Sequence, residues 1–329
     1  MFQMRSVSTF PLLSLAVSGL ASAAWTRYAT VGLGPVQENA VVAIDGEFYI
    51  LGGILLDIDG QWKSSHLVQR YHAKDDKWSV PAPLPVAMNH INAGVVDGKI
   101  YALGALNGSE WTEWLANPQT YIYDPFADTW DPLGIMPDAR GASAVAVSGS
   151  TIYVAGGLQE ISVSRNLTVS ERLVSAYDAA TGNWTSLPDL PGGRDHVCGE
   201  VVGSTLYVIG GRDLVWTNVK DTVFALDLDN PVEWVEKAPM PTARGGLQCA
   251  TLGSSIYTFG GEGDLSSPRM VFDEVEVYDT VTDSWKILDP MDVPRHGSDA
   301  VAYDGQIFIP GGGASIGPQP VSINSAFRP

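Results

Sequence analysis

Four arginines occupy one repeated position and are the first candidates for chemistry in this chain. Each lies 16 residues before the first glycine of a recurring glycine pair, and the four are Arg140, Arg194, Arg244 and Arg295. A guanidinium group presents a planar fork of donors that matches a carboxylate or an enolate oxygen. Because the residue repeats with the scaffold, these arginines could instead bond backbone carbonyl groups and acids inside that scaffold. The sequence leaves both interpretations open.

Acid–base groups lie close to these arginines along the chain. They are Glu38, His90, Asp195, His196, His296 and Asp299. We expect His90 or His196 to move a proton, with Glu38 as a third catalytic candidate. No nucleophile elbow, HExxH motif or phosphate loop accompanies them, and His66 and His72 have no evident third metal ligand. We therefore predict no metal and no cofactor, and the sequence does not decide whether a reaction is catalysed.

The ten tryptophans form two groups. Six of them recur every 50 to 54 residues, at Trp25, Trp78, Trp130, Trp184, Trp234 and Trp285. The other four fall in long segments after the glycine pairs, predicted to be loops, and are Trp62, Trp111, Trp114 and Trp216. Flat apolar rings can stack on a sugar or an aromatic metabolite, so these four are predicted to bind a ligand. The alternative is that they pin the loops onto the scaffold.

A repeat of about 50 residues must position all of these groups. Its glycine pairs begin at Gly52, Gly104 (followed by Ala105), Gly156, Gly210, Gly260 and Gly311. Each unit reads as four strands: a small apolar strand, a tight turn and a second apolar strand that the pair ends, then a strand ending in Tyr-Asp or a relative, and a strand built on the spaced tryptophan. No helical pattern appears, so the sequence predicts an all-β fold.

The glycine pair, the Tyr-Asp and the spaced tryptophan together resemble the Kelch repeat across residues 24–329. The departures are Ala105 for a glycine and His72 for an aspartate. Kelch repeats imply a β-propeller with one four-stranded sheet per blade, and six repeats imply six blades in a single domain. The last repeat lacks a tryptophan strand. The N-terminal strand with Trp25 is therefore expected to complete that blade and close the ring.

The same resemblance carries expectations about function. In Kelch propellers that bind acidic peptides, arginines at the repeated position line the pocket, which implies four guanidinium groups around one mouth of the channel. The chain is similar to Kelch-like proteins of fungal secondary-metabolite gene clusters, such as those making terrein-type polyketides. That likeness implies binding a small molecule and assisting its rearrangement or isomerisation, with the arginines holding an oxyanion.

Two other functions remain open. One is a carbohydrate-binding propeller at a cell surface, without chemistry. The other is a sugar mutarotase, as in secreted bacterial Kelch propellers, for which Glu38 with Arg194 would be the acid–base pair. A copper-radical oxidase fits poorly, because both cysteines fall in predicted core strands and the repeats number six rather than seven.

The N-terminal segment predicts entry into the secretory pathway. Residues 1–23 have one charge, an apolar run too short to span a bilayer and an Ala-Ser-Ala cleavage pattern, which together are typical of a signal peptide. We expect a secreted or lumenal monomer. Sequons at Asn107, Asn166 and Asn183 fit that location.

Charge and cysteine content narrow the partners and the sources of stability. A net charge of −18 argues against nucleic acid and membrane surfaces as partners. The two cysteines, Cys198 and Cys249, fall in the first strands of neighbouring repeats. They either form a disulfide between two blades or remain two buried thiols.

Overall fold

The computed structural model describes residues 24–57, 59–110, 113–162 and 167–329. These residues form 28 strands and no helix. Accordingly, the described part of the chain contains no helix long and apolar enough to cross a membrane. The predicted signal peptide at residues 1–23, together with Trp111 and Asn166, lies outside the described residues.

Five blades are built from consecutive segments of the chain, each an antiparallel sheet whose strands follow one another outward from the axis. Blade one contains β2 (Ala40–Ile44), β3 (Glu47–Leu51), β6 (Val68–His72) and β7 (Lys77–Ser79). Blade two contains β8 (Ala93–Val96), β9 (Lys99–Glu110), β10 (Glu113–Asp124) and β11 (Thr129–Ile135). Blade three contains β12 (Ala144–Ser148), β13 (Thr151–Ala155), β16 (Val174–Asp178) and β17 (Asn183–Leu187). Blade four contains β18 (Cys198–Val202), β19 (Thr205–Ile209), β20 (Val223–Asp227) and β21 (Trp234–Lys237). Blade five contains β22 (Gln248–Leu252), β23 (Ser255–Phe259), β24 (Val275–Asp279) and β25 (Ser284–Ile287).

Blade six joins the two ends of the chain and confirms the predicted closure. Its strands are β26 (Val301–Tyr303), β27 (Gln306–Pro310), β28 (Asn324–Arg328) and β1 (Ala24–Arg27). In the antiparallel pairing of β1 with β28, Trp25 lies opposite Phe327. The innermost strands of neighbouring blades contact one another around the whole circle, including β26 with β2. The fold is therefore a closed six-bladed propeller.

Small residues let the innermost strands converge on the axis. A Cβ atom added at Gly199 of β18 would lie 2.8 Å from the Cβ of Ala144 in the neighbouring blade. Larger side chains fit further out, where the blades diverge. There the ring of the outer-strand tryptophan packs against a third-strand aromatic ring, with centroids 5.0 to 5.2 Å apart in five of the blades.

Three of the segments predicted to be long loops contain strands instead. Residues 54–64 form a hairpin of β4 (Ile54–Leu56) and β5 (Trp62–Ser64). Strands β9 and β10 extend beyond blade two, and β14 (Leu158–Ser162) and β15 (Leu167–Ser170) add to their sheet. The extension arises because β10 continues to pair with β9 across a register shift between Asn117 and Thr120. A small sheet thus rises on the face that holds the glycine-pair loops.

The two cysteines join neighbouring blades. Cys198 on β18 and Cys249 on β22 form a disulfide with a Cα–Cα distance of 6.0 Å. The cross-link ties the innermost strands of blades four and five at the wall of the central channel.

Trp25→Ala should lower the free energy of unfolding by about 2–4 kcal/mol, since it removes a half-buried ring from the closing strand. The ring packs against Phe259 and Phe327, and its indole N–H donates to the Pro290 carbonyl oxygen at 2.9 Å. Urea denaturation measures the change. Phe126→Ala removes a fully exposed ring and is the matched control, with an expected change below about 0.5 kcal/mol. Equal effects of the two substitutions would contradict the role of Trp25 in closure.

Candidate functional site

Six equivalent residues, one per blade, form a hydrogen-bonded ring around the channel. Each follows the repeated arginine position by two residues, and the six are Glu38, His90, Ala142, His196, Gly246 and Gly297. The backbone N–H of each donates to the carbonyl oxygen of the ring member in the preceding blade, at 2.5 to 3.0 Å, and the bond from Glu38 to Gly297 completes the circle. We call these residues the axial ring.

Every member of the axial ring has a left-handed backbone, with φ between 49° and 61°. Glycine adopts this conformation without strain, and blades five and six use it. A glutamate or histidine there costs on the order of 1–2 kcal/mol. Blades one, two and four therefore carry large polar side chains at a position where glycine would adopt the required left-handed backbone without strain. Such tolerated strain suggests that the side chains are retained for function.

The three large side chains of the axial ring meet at one point. Glu38 Oε2 lies 3.0 Å from His90 Nε2, and His90 Nε2 lies 2.9 Å from His196 Nε2. The third distance, from His196 Nε2 to Glu38 Oε2, is 3.9 Å. All three side chains are buried. The structure thus brings together the three residues that the sequence nominated as catalytic, and we call them the axial triad.

Neighbouring side chains fix the orientation of both imidazole rings. The Nδ1 of His90 bonds to Asn89 Oδ1, while the Asn89 amide donates to Ser64 Oγ at 2.7 Å. The Nδ1 of His196 donates to Asp195 Oδ1 at 2.7 Å. Because each Nδ1 carries the proton for these bonds, each Nε2 presents its lone pair to the axis when the ring is neutral.

Arg212 belongs to the same cluster and was missed in the sequence. Its guanidinium donates to Asp195 at 2.8 Å, to Glu262, and to His196 Nε2 at 3.1 Å. Arg212 and Glu262 directly follow the glycine pairs of blades four and five, where three of the other blades have an apolar residue and the sixth has glycine. A charged residue at a repeat position that is otherwise apolar or glycine is visible when the six repeats are aligned. This signal would have identified both residues.

His296 faces the cluster from blade six. Its Nδ1 lies 3.7 Å from Glu38 Oε1 and 3.7 Å from Glu262 Oε2, and it has no hydrogen-bond partner among the described residues. Its Nε2 bonds to the Ser315 carbonyl oxygen at 2.9 Å. The ring is buried and oriented toward the two carboxylates.

The electrostatics of the cluster keep the Glu38 and Asp195 carboxyl groups ionised. Burial alone would raise the pKa of Glu38, but the three surrounding histidines hold it well below its usual value. Burial likewise opposes ionisation of Asp195, yet Arg212 and His196 lower its pKa to about 2. Burial lowers the pKa of His90, against the effect of Glu38. The centre thus combines buried anions with the His90 imidazole, which burial disposes to be neutral.

The axial triad opens into a cavity of about 160 Å³ on the propeller axis. Glu200, Asp299 and the disulfide line the same cavity. Burial raises the pKa of Glu200 to about 8, although its bond with Thr251 opposes the rise, and burial raises the pKa of Asp299 to about 6. The channel thus pairs an ionised cluster with two carboxyl groups that hold their protons more tightly than usual.

Glu200 predicts a pH dependence of stability. Its pKa is higher in the folded protein than in the unfolded chain, so its contribution is fully present below about pH 4.5 and is lost as pH rises toward about 8. Between pH 5 and pH 8 the wild type should lose about 2–4 kcal/mol relative to Glu200→Gln. Urea denaturation of both proteins at the two pH values measures the difference. Parallel pH profiles would show that the carboxyl titrates normally in the folded protein.

The four repeated arginines do not line the cavity, so the structure does not support their predicted ligand role. Arg140 donates to the Gly156 and Val154 carbonyl oxygens at 2.7 and 2.9 Å. Arg244 makes an ion pair with Glu276 at 2.7 Å. The side chains extend into their own blades because carbonyl groups at the glycine turns are the nearest acceptors. These contacts match the alternative in which the arginines bond backbone carbonyl groups and acids inside the scaffold.

The other two arginines follow the same plan. Arg194 donates to Thr222 Oγ1 at 2.7 Å and lies over the Phe224 ring, while Arg295 donates to Ser325 Oγ at 2.6 Å. Glu38 contacts the histidines rather than Arg194, so the pair considered for a mutarotase is not formed.

The tryptophans outside the repeat have different surroundings. Trp114 packs against the His90 ring, with centroids 4.9 Å apart, and so adjoins the axial triad. Trp62 lines a separate apolar groove with Leu56 and Pro320. Trp216 is 37% exposed on the loop that follows Arg212. Among the described residues, Trp114 is thus the predicted ligand-binding tryptophan that contacts the candidate site.

The sequons remain predictions. Asn183 is exposed at the start of β17, and Asn107 is half-buried in β9.

Six blades, each built on four strands, around a buried ionisable centre define a β-propeller with an axial site. The chain belongs to the Kelch-repeat family, since residues 141–319 match the KLHDC2/KLHL20/DRC7 Kelch-repeats domain. It is 41% identical over 297 residues to Kelch-like protein terF of Aspergillus terreus, covering 90% of this chain and 65% of that protein. It is also 26% identical over 292 residues to alpha-scruin of Limulus polyphemus, covering 85% of this chain and 30% of that protein.

A solved structure described as "Structure of YjhT" shares the fold. Its TM-score is 0.72 at 16% identity, and the alignment covers 89% of this chain and 94% of that one. The likeness supports the propeller architecture alone. The chain spans about two thirds of the length of terF and less than a third of alpha-scruin.

Proposed function

We propose that this protein binds a small oxygen-rich intermediate in the axial cavity and assists its rearrangement or isomerisation in secondary-metabolite biosynthesis. The 41% identity to Kelch-like protein terF supports a role of this kind. Location in the secretory pathway, glycosylation at the sequons and a monomeric state are parts of the same proposal.

The convergence of Glu38, His90 and His196 at the cavity carries the proposal. Three buried groups from three blades, each on a strained backbone, are not needed to build the ring, because glycine or alanine serves in the other blades. Arg212 places a positive charge beside His196, and that charge favours an anionic oxygen at the triad. Direct exchange of a proton with a member of the triad is one route to isomerisation.

Deletion of the gene in the source organism, followed by mass spectrometry of extracted metabolites, tests the proposal. We expect one compound to accumulate and an isomer of it to disappear. Purified protein should then convert the accumulated compound into the missing isomer. An unchanged metabolite profile would contradict the proposal. In that case, saturable quenching of tryptophan fluorescence by a glycan would favour the carbohydrate-binding alternative.

A further inference from the structure

We propose that Glu38, His90 and His196 bind a divalent first-row transition-metal ion of the zinc class on the propeller axis. This inference rests on the proposed function only for the choice of cavity, and it names the cofactor that the site would use. It revises the expectation from sequence that the protein binds no metal.

The donor atoms of the triad have the spacing of a ligand set. One oxygen and two nitrogens, all within 4.8 Å of one another, come from three blades. Their separations of 2.9, 3.0 and 3.9 Å bracket the roughly 3.4 Å that separates donors around a tetrahedral zinc ion with bonds of about 2.1 Å. Two imidazoles with one carboxylate form a donor set that such metals accept.

The outer partners of both histidines have the form that metal-binding histidines require. Asn89 and Asp195 accept the Nδ1 protons, so that both Nε2 lone pairs are directed at the same point. An ion bound there would displace the Arg212 N–H that His196 Nε2 otherwise accepts. A carboxylate or carbonyl partner of this kind fixes the tautomer and the ring plane of a metal ligand. With both Nε2 atoms unprotonated, two lone pairs 2.9 Å apart and a nearby carboxylate repel one another unless a cation or a proton lies between them.

The charge of the cluster leaves room for a divalent cation. Its carboxylates are Glu38, Asp195 and Glu262, and its guanidinium is Arg212. Three carboxyl groups thus face one guanidinium group in a buried setting. Buried charges are normally paired or bound to metal. The Nδ1 of His296, which has no hydrogen-bond partner among the described residues, adds a further buried polar atom oriented toward the same centre.

Three protein ligands leave a coordination position for another molecule, and the cavity lies next to it. A metal with an open position is a Lewis acid that polarises a carbonyl or enolate oxygen. That is the electrostatic role that the sequence had assigned to the repeated arginines. The competing occupant is a single proton shared by His90 and Glu38, and metal binding decides between them.

Isothermal titration of tag-free protein, dialysed first against a chelator, with zinc chloride tests the proposal. We expect one ion per chain. The double substitution His90→Ala with His196→Ala should weaken binding at least 100-fold. Asp195→Asn keeps the ligands and alters their orientation, so it should weaken binding 10- to 100-fold. His72→Gln changes a histidine on β6, away from the axis, that also contacts a carboxylate. This substitution should leave zinc binding unchanged.

The alanine substitutions suit the backbone, because Ala142 occupies the equivalent position with φ of 56°. Thermal melts in chelator verify that each variant is folded. Absence of stoichiometric zinc binding by folded wild type, or equal binding by the double variant, would overturn the metal site. Full conversion of the accumulated compound by protein assayed in chelator would also overturn the metal site, while leaving the proposed function standing. Zinc binding together with an unchanged metabolite profile would instead refute the function and keep the site.

Discussion

Joint replacement of His90 and His196 by alanine should lower the conversion of the accumulated compound at least 100-fold. Both rings face the axial cavity, and each Nε2 lies within 4 Å of the Glu38 carboxylate. Whether they contact the substrate directly or hold a cation against it, the substitution removes the groups that act on the reacting oxygen. A loss of this size corresponds to about 2.7 kcal/mol of transition-state stabilisation.

The fold should survive this change. The axial ring is held by backbone hydrogen bonds, and its members in blades three, five and six are alanine or glycine. The melting temperature should move by only a few degrees, since the ring bonds join backbone groups and alanine is accommodated at the equivalent position, Ala142. His72→Gln is the matched control and should retain full activity. A folded double variant with the wild-type rate would remove the axial triad from the mechanism.

Arg295→Met should destabilise the propeller by about 3–5 kcal/mol without entering the reaction. The buried guanidinium donates to the carbonyl oxygens of Ile309 and Gly311 at 2.9 and 3.1 Å and to Ser325 Oγ at 2.6 Å. Methionine fills much of the space but supplies no donors, so these buried acceptors lose their partners. Urea denaturation measures the loss.

Arg27→Met provides the matched control. Arg27 pairs with Asp292 at the surface, at 2.6 Å, and an exposed ion pair of this kind contributes less than about 1 kcal/mol. If Arg295→Met kept wild-type stability but no longer bound the accumulated compound, the repeated arginines would be ligand-binding residues.

The repeat made the architecture predictable. Spacing of the glycine pairs and tryptophans determines the number of blades, and Trp25 identifies the strand that closes the ring, because an incomplete final repeat leaves one strand position unfilled. The hairpin of β9 and β10 was not predictable in the same way. Its pairing depends on a register shift and on contacts with blade three that no single-repeat pattern encodes.

The site was only partly predictable, because a repeated position shows where a side chain begins and not where it points. Arg140 and His90 lie near the same end of their blades, yet the arginine extends into its blade and the histidine reaches the axis. The difference comes from backbone conformation, since the left-handed turn at His90 directs its side chain inward. Asp195, noted beside the histidines in the sequence, proved to orient His196.

A crystal structure of the protein with the accumulated compound bound tests the central claim most directly. The account predicts an oxygen atom of the compound at the axial triad, either within hydrogen-bond distance of a triad side chain or coordinated to the ion held by Glu38, His90 and His196. Binding confined to the apolar groove beside Trp62, with the axial cavity holding no part of the compound, would contradict it.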